Sequence, residues 1–323
     1  VSFGDSSFSG CTKLTSLSIP ATVKELTPGS FVGMQLANIT VDAANPYYTA
    51  ENSVLFNKDK TSLIYYSPYL SATEYILPNT VKSIEANSFA GNLILTKIVL
   101  GGQLEKIGTN AFYESTALRQ VVFVRPAAGS QTILTIETSA FESCASLRYL
   151  YVTDSADADA DTYVLGTPSS LRTISNRAFY GSMITDLVLS EGVETIGERA
   201  FSHASRGRIM SVELPASLKS IGAYAFFTNR NLMTVTIAEN SQLETIGESS
   251  FGNTALVSFR VPKSVTTIGN RAFSAADLSE GFTFEEGRTE TITLGESLFS
   301  GTELTSITFP DLCEFYGESR GWM

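Results

Sequence analysis

Apolar and polar residues alternate along this chain in a phrase that returns many times. In LTSLSIP (Leu14 to Pro20), Leu14, Leu17 and Ile19 are apolar while Ser16 and Ser18 flank Leu17, the pattern of a short strand with one buried face. Pro20 ends that strand, because a residue without an N–H cannot continue a hydrogen-bond ladder; Pro215, Pro262 and Pro310 hold the same place in later copies. A second apolar pair follows, as in SVTTIG (Ser264 to Gly269), and its glycine permits a tight corner. Segments such as NRAF and ERAF come next, and they predict a single helical or 3-10 turn that plants Phe in the core.

The marker Phe falls at Phe8, Phe31, Phe89, Phe112, Phe141, Phe179, Phe201, Phe226, Phe251, Phe273 and Phe299, and most gaps are 22 to 26 residues. The gap of 58 after Phe31 holds one further unit plus an insertion, since TEYILPNTVKSI (Thr73 to Ile84) carries the second half of the phrase. The array therefore amounts to roughly twelve coils. One such coil cannot hide both of its apolar edges; stacked coils set strand beside strand at about 4.8 Å and line like residues up in ladders.

The phrases I-G-x-x-A-F, L-x-x-V-x-I-P and S-V-x-x-I, repeated over essentially the full chain, resemble the BspA-type leucine-rich repeats of bacterial cell-surface proteins. That resemblance implies a right-handed leucine-rich-repeat solenoid of the α/β horseshoe type, mostly β. A parallel sheet would line its concave face, with short helical or 3-10 turns and loops on the other side. It also implies an exported adhesin that binds host matrix or plasma proteins or partner bacteria. The expected organisation is one solenoid over residues 1–323 with a hairpin-bearing insertion at about 45–70, where NKDK turns between VLF and SLIYY. A cap at about 311–323, holding the only Trp, would close the last coil. Arg125 to Gln131 and Thr153 to Pro168 lengthen their coils and make the local surface peculiar to this chain.

Composition narrows the function. A net charge of −11 disfavours nucleic acid as a partner, since phosphate recognition needs a Lys/Arg surface. No apolar run is long enough to span a membrane as a helix. Phe3-Gly4 matches the Ile-Gly of later coils, so the sequence opens inside a unit and Val1 reads as a cut end; an extracellular or cell-surface location is expected, with signal and anchor outside the fragment. Cys11 and Cys144 both lie three residues after a marker Phe. They read as small buried thiols, several coils apart and beyond disulfide reach.

Candidate chemistry is sparse, and no cofactor is implied. The single histidine, His203, has no Cys, Asp or Glu at ligand or triad spacing. GDS at Gly4 to Ser6 occupies the variable slot that GER fills elsewhere, and Glu285-Glu286 reads as a solvated acidic turn. In DSADADADT (Asp154 to Thr162), Asp157, Asp159 and Asp161 alternate as calcium-loop donors do. Counted from Asp157, however, the Gly and Glu positions hold Thr162 and Pro168, so the alternatives are a weak calcium site and a solvated loop.

The reading is thus a non-enzymatic binding protein for a protein or glycan on host or neighbouring cells, the alternative being a structural spacer. Outward strand positions are Ser/Thr-rich at both ends of the array and apolar or aromatic between. Ile76, Val99, Val122, Tyr149, Tyr151 and Val188 are accordingly the candidate centre of a binding face. Strand propensity alone would also place Val, Ile and Tyr there.

Overall fold

The structure is a computed structural model that describes every residue except Ser6, Ser9, Gly10, Thr12, Asp159, Arg206 and 316–323. The chain packs as two compact units, Val1–Leu171 and Arg172–Met323. Both are built from short strands joined by turns. Among the described residues, helical bonding is confined to two 3-10 turns, Pro28–Phe31 and Ala160–Thr162.

In the first unit one sheet runs Glu74–Ile76, Lys97–Leu100, Gln120–Val124 and Tyr149–Thr153, all parallel, and the antiparallel strand Val164–Leu165 closes its edge. A second parallel row stacks Ser62–Tyr66, Ser83–Ile84, Lys106–Ile107 and Leu134–Ile136. Tyr48–Glu51 and Val54–Asn57 extend that row antiparallel, the latter pairing with Ser62–Tyr66. The second unit repeats the plan. Asp186–Val188, Ser211–Leu214 and Thr234–Ile237 form one parallel sheet, Ser258–Val261 and Gly281–Phe284 another. Its second row includes Thr195–Ile196, Ser220–Ile221, Thr245–Ile246, Thr267–Ile268, Ile292–Leu294 and Cys313–Phe315.

The marker Phe side chains stack as ladders inside each unit. Phe89, Phe112 and Phe141 follow one another at ring-centroid spacings of 4.6 and 4.8 Å, with Tyr66 stacked below Phe89 at 4.7 Å. In the second unit Phe179, Phe201, Phe226, Phe251 and Phe273 repeat at 5.2 to 5.5 Å with rings within 11° of parallel. Each of these rings is essentially fully buried. Stacking adds roughly 0.5 to 1.5 kcal/mol per pair to the transfer term, and truncating one such ring to Ala costs about 3 to 5 kcal/mol.

The turns that carry these rings are not helical. Before each Phe a non-glycine residue adopts a left-handed conformation: Asn110, Arg177, Arg199, Tyr224, Ser249 and Arg271 all have φ between 49° and 58°. The Phe amide then bonds the neighbouring coil, while the amides on either side of it, such as Ala111 N to Gly108 O and Tyr113 N to Asn110 O, close turns within their own. Phe112 N donates to Ala140 O at 2.7 Å, Phe201 N to Ala225 O at 2.9 Å and Phe226 N to Ser250 O at 2.8 Å. A small residue precedes Phe because two backbones meet there.

The Ile-Gly glycine serves close approach rather than backbone freedom. An added Cβ at Gly222 would sit 2.6 Å from Glu198 N, and one at Gly247 2.5 Å from Ala223 N. Neither has a positive φ.

The position three residues after Phe caps the turn. Ser115 Oγ donates to Phe89 O (2.8 Å), Cys144 Sγ to Phe112 O (3.1 Å) and Asn229 Nδ2 to Phe201 O (2.9 Å). Cys144 is buried as expected of it. Cys11 is exposed, which corrects the expectation of a buried thiol. The acceptor its equivalents use belongs to the preceding coil, and no such coil lies below it among the described residues. The expected cap lies mostly outside the described residues, which include only 311–315 of it and neither the Trp nor its neighbours.

Candidate functional site

Strand register brings most of the candidate face together. Ile76 pairs with Val99, Val99 with Val122, and Val122 with Tyr151, so these four form one row across the sheet of the first unit. A second row, one pleat earlier, runs Glu74, Lys97, Gln120 and Tyr149. The Tyr149 and Tyr151 rings stack along their strand at 5.5 Å and 17°. Val188 lies in the second unit, on the strand Asp186–Val188, half-buried beside Glu213. It belongs to a different sheet from the other five.

The two central valines are not exposed as expected: Val99 is 2% and Val122 0% accessible. Their inward-facing neighbours Ile98, Leu100, Val121 and Phe123 are buried as well, so the strands are covered on both faces. The cover is the chain's own lengthened coil. After Asp154 the backbone leaves the sheet, and it returns as Val164–Leu165, with Leu165 opposite Tyr151. On the way Tyr163 is placed 5.8 Å from the Tyr151 ring and 5.3 Å from Lys97 Nζ. Tyr151 and Lys97 stand on the strands to either side of Val122, so Tyr163 bridges the Val122 strand. The repeat pattern carries no signal for this, because the covering segment is outside the repeat. The length of Thr153 to Pro168 was its only trace.

The exposed part of the face is therefore Ile76, which is 51% accessible, together with the half-buried Tyr149 and Tyr151. Burial, and then the neighbouring Tyr149, push the Tyr151 phenol up. Burial alone would lower the Lys97 ammonium, but a hydrogen bond with Tyr163 and the Glu74 carboxylate at 3.4 Å hold it above its usual range. Lys97 stays charged at neutral pH.

At the corner where the coils enter this sheet, Arg148 N and Tyr149 N both bond Arg119 O, at 3.0 and 3.2 Å. Arg119 and Arg148 are thereby neighbours at one edge of the tyrosine pair, and both are exposed. They were not singled out from the sequence, although both hold the same repeat position, 29 residues apart like Phe112 and Phe141.

Of the possible calcium donors, Asp157 and Asp161 are exposed and Asp159 lies outside the described residues. Among the described residues no three His, Cys, Asp or Glu side chains converge as a metal group would require. Asp154 instead pairs with Arg125 at 2.6 Å. His203 Nδ1 accepts the Ser205 amide at 3.2 Å, and burial followed by Arg208 pushes its pKa down. Ser6 of the GDS segment is outside the described residues, as is Arg206 beside the histidine loop.

In the second unit, Phe282, Phe284, Glu285, Arg288, Phe309 and Leu312 line an open groove of about 770 Å³. Arg288 is tied to Pro262 O at 2.9 Å and to Val265 O, which makes it a clamp between coils.

Parallel strands stacked at a 22–26-residue period, with one aromatic inserted per coil, define the leucine-rich-repeat solenoid class. Within it the chain belongs to the BspA-type leucine-rich repeat family, described as "BspA type Leucine rich repeat region (6 copies)", whose matches cover residues 1–71, 60–158, 164–279 and 204–319. Among solved structures it is similar to a leucine-rich repeat protein from Eubacterium ventriosum, at 22% identity and a TM-score of 0.56 over 92% of this chain and 60% of that one. It is also similar to the pneumococcal vaccine antigen PcpA (20% identity, TM-score 0.43, 91% of this chain, 56% of that one). A third is a leucine-rich repeat protein from Bacteroides ovatus (18%, TM-score 0.44, 83% and 76%). The chain thus spans 60% and 56% of the first two. No curated protein matches it. No helix among the described residues is long and apolar enough to cross a membrane.

Proposed function

We propose that this protein is a non-catalytic, secreted or cell-surface binding protein, and that the broad sheet of its first unit recognises a protein or glycan through Tyr149, Tyr151 and Ile76. One observation carries the reading. Ile76, Tyr149 and Tyr151 lie in strand register on one outward face and remain accessible, whereas the valines between them are covered. Large amphipathic rings at the centre of a polar rim are typical of recognition surfaces. Membership of a family with cell-surface members supports the location.

The test is a binding screen of the parent against matrix proteins and glycans, run beside the Tyr149→Ser/Tyr151→Ser double variant. Loss of the partner is expected, with some fall in thermal midpoint because the Tyr151 ring also packs on Tyr163. Tyr149→Ser alone, which keeps that contact, should weaken binding at little change in midpoint, and equal binding by the double variant refutes the face. A second reading, a spacer that displays another domain, is favoured by the burial of Val99 and Val122 under the chain's own loop. In that case the apolar row is an internal seam, and the screen returns no partner.

A further inference from the structure

We infer that the corner of this sheet formed by Arg119, Arg148 and Tyr149 binds an acidic polysaccharide chain, one bearing carboxylate or sulfate groups. The inference rests on the reading of the tyrosine face as a recognition surface and names the chemistry of its partner.

Three observations lead there. The first is charge. In a chain of net charge −11, positive side chains gather at this place. Arg119 and Arg148 enter adjacent coils side by side, and Lys97 stands two strands away from Tyr149 in the same row. Lys97 is paired with Glu74, but Arg119 and Arg148 have no ion-pair partner among the described residues. At physiological salt, charges beyond about 8 Å are largely screened, so two exposed arginines on neighbouring backbone, without an ion-pair partner, make a local positive site despite the negative net charge. Guanidinium groups bind carboxylate and sulfate in a bidentate manner, each contact being roughly twice as strong as a neutral hydrogen bond.

The second is ring geometry. Tyr149 stacks on Tyr151 through one face, and its other face makes no ring contact among the described residues. The stack runs along the strand, so this free face turns toward the strand's start, where the backbones of Arg148 and Arg119 enter the sheet. A flat apolar ring beside two cations fits a pyranose, whose C–H face packs on the ring while its acidic substituent reaches the arginines.

The third separates a glycan from an acidic peptide. Extended peptides commonly bind a sheet by adding a strand at an open edge, where the main chain supplies the affinity. Here the edge beside Tyr149–Thr153 is already occupied by Val164–Leu165. What stays open beside Tyr149 is the face, which a sugar can use without any backbone pairing; the sheet's other edge, Glu74–Ile76, lies three strands away.

The experiment titrates the full chain with four probes by calorimetry: heparin oligosaccharide (sulfated), hyaluronan oligosaccharide (carboxylated), neutral dextran and poly-Glu. Binding to at least one acidic glycan, weakening as salt rises and absent for dextran, is the expected result. In Arg119→Ser/Arg148→Ser the affinity should fall about tenfold or more at an unchanged thermal midpoint, and Arg→Lys replacement should restore only part of it. The inference is overturned if neither acidic glycan binds, if poly-Glu binds as tightly as the glycans, or if the double-Ser variant binds like the parent. A partner lost in Tyr149→Ser/Tyr151→Ser but kept in the arginine variant would sink this inference alone and leave the wider reading standing.

Discussion

Replacing Gly247 by Ala isolates the contact on which coil stacking depends. An added Cβ would lie 2.5 Å from both Ala223 N and Gly222 C and 2.8 Å from Gly222 O, all of them backbone atoms that cannot rotate away. Ordinary contact between such atoms is about 3.5 Å, so the coils must part by roughly 1 Å. The Gly247 N to Ile221 O bond, now 2.8 Å, would then be lost or badly stretched. Overpacking of this kind costs typically 1 to 3 kcal/mol and a lost bond about 1 more, while reduced freedom of the unfolded chain returns at most about 1. The expected net loss is about 1 to 3 kcal/mol. Because Gly247 lacks a positive φ, the penalty is steric and not conformational. Urea unfolding followed by far-UV circular dichroism measures it, with hydrogen exchange of second-unit amides showing whether the loss is local or global. Ser249→Gly, two residues on at φ 49°, serves as the opposite control and should be neutral or stabilising. A Gly247→Ala protein within about 0.5 kcal/mol of the parent would refute the reasoning. The chain contains its own comparison: Glu137 occupies the glycine position of its coil, and its Oε2 accepts the Thr109 amide of the coil below at 2.9 Å. A side chain is accommodated there as a bonding group.

Two further outcomes follow from buried acids. Burial pushes the Tyr65 phenol up to about 12, with its hydroxyl held by Leu36 N at 2.9 Å. The unfolded chain releases this proton first, so stability is fully present below pH 10 and falls by roughly 2 to 3 kcal/mol as pH rises to about 12. Tyr65→Phe should remove that share of the alkaline loss, read as urea midpoints against pH, the rest remaining with the Tyr75, Tyr66 and Tyr48 phenols that burial also pushes up. It should cost about 1 to 3 kcal/mol at pH 7 because the Leu36 amide loses its acceptor. The Cys144 thiol, fully buried and pushed up by burial, should resist alkylation in the native protein and react once it unfolds, whereas the exposed Cys11 should react at once. Mass spectrometry of iodoacetamide adducts distinguishes the two, and equal labelling would contradict the packing described for Cys144.

Much of this fold could be read along the chain. Periodic Phe, alternating strands and a terminal Pro recur because each coil solves the same burial problem as its neighbours, so the solution is spelled out many times. The outward register of Ile76, Val99, Val122 and Tyr151 followed from that alternation. What local pattern could not supply was the meaning of the Ile-Gly glycine. A corner and a close approach call for the same residue, and only neighbouring backbone separates them. Nor could it supply Tyr66 as a ladder member, since an insertion interrupts the period just before it.

The sequence by itself determined the repeat, the inward set and the family, because these rest on contacts between equivalent residues at a constant spacing. Only the tertiary structure decided which outward residues meet solvent. The Thr153 to Pro168 segment obeys no period, and its resting place depends on contacts with strands two coils back, through Tyr163, Tyr151 and Lys97. Such a segment has one copy and no neighbour that repeats its pattern. Its Tyr163 lies over the Val122 strand that alternation left open, whereas Arg119 and Arg148, spaced like Phe112 and Phe141 and next to Tyr149, were already in phase along the chain.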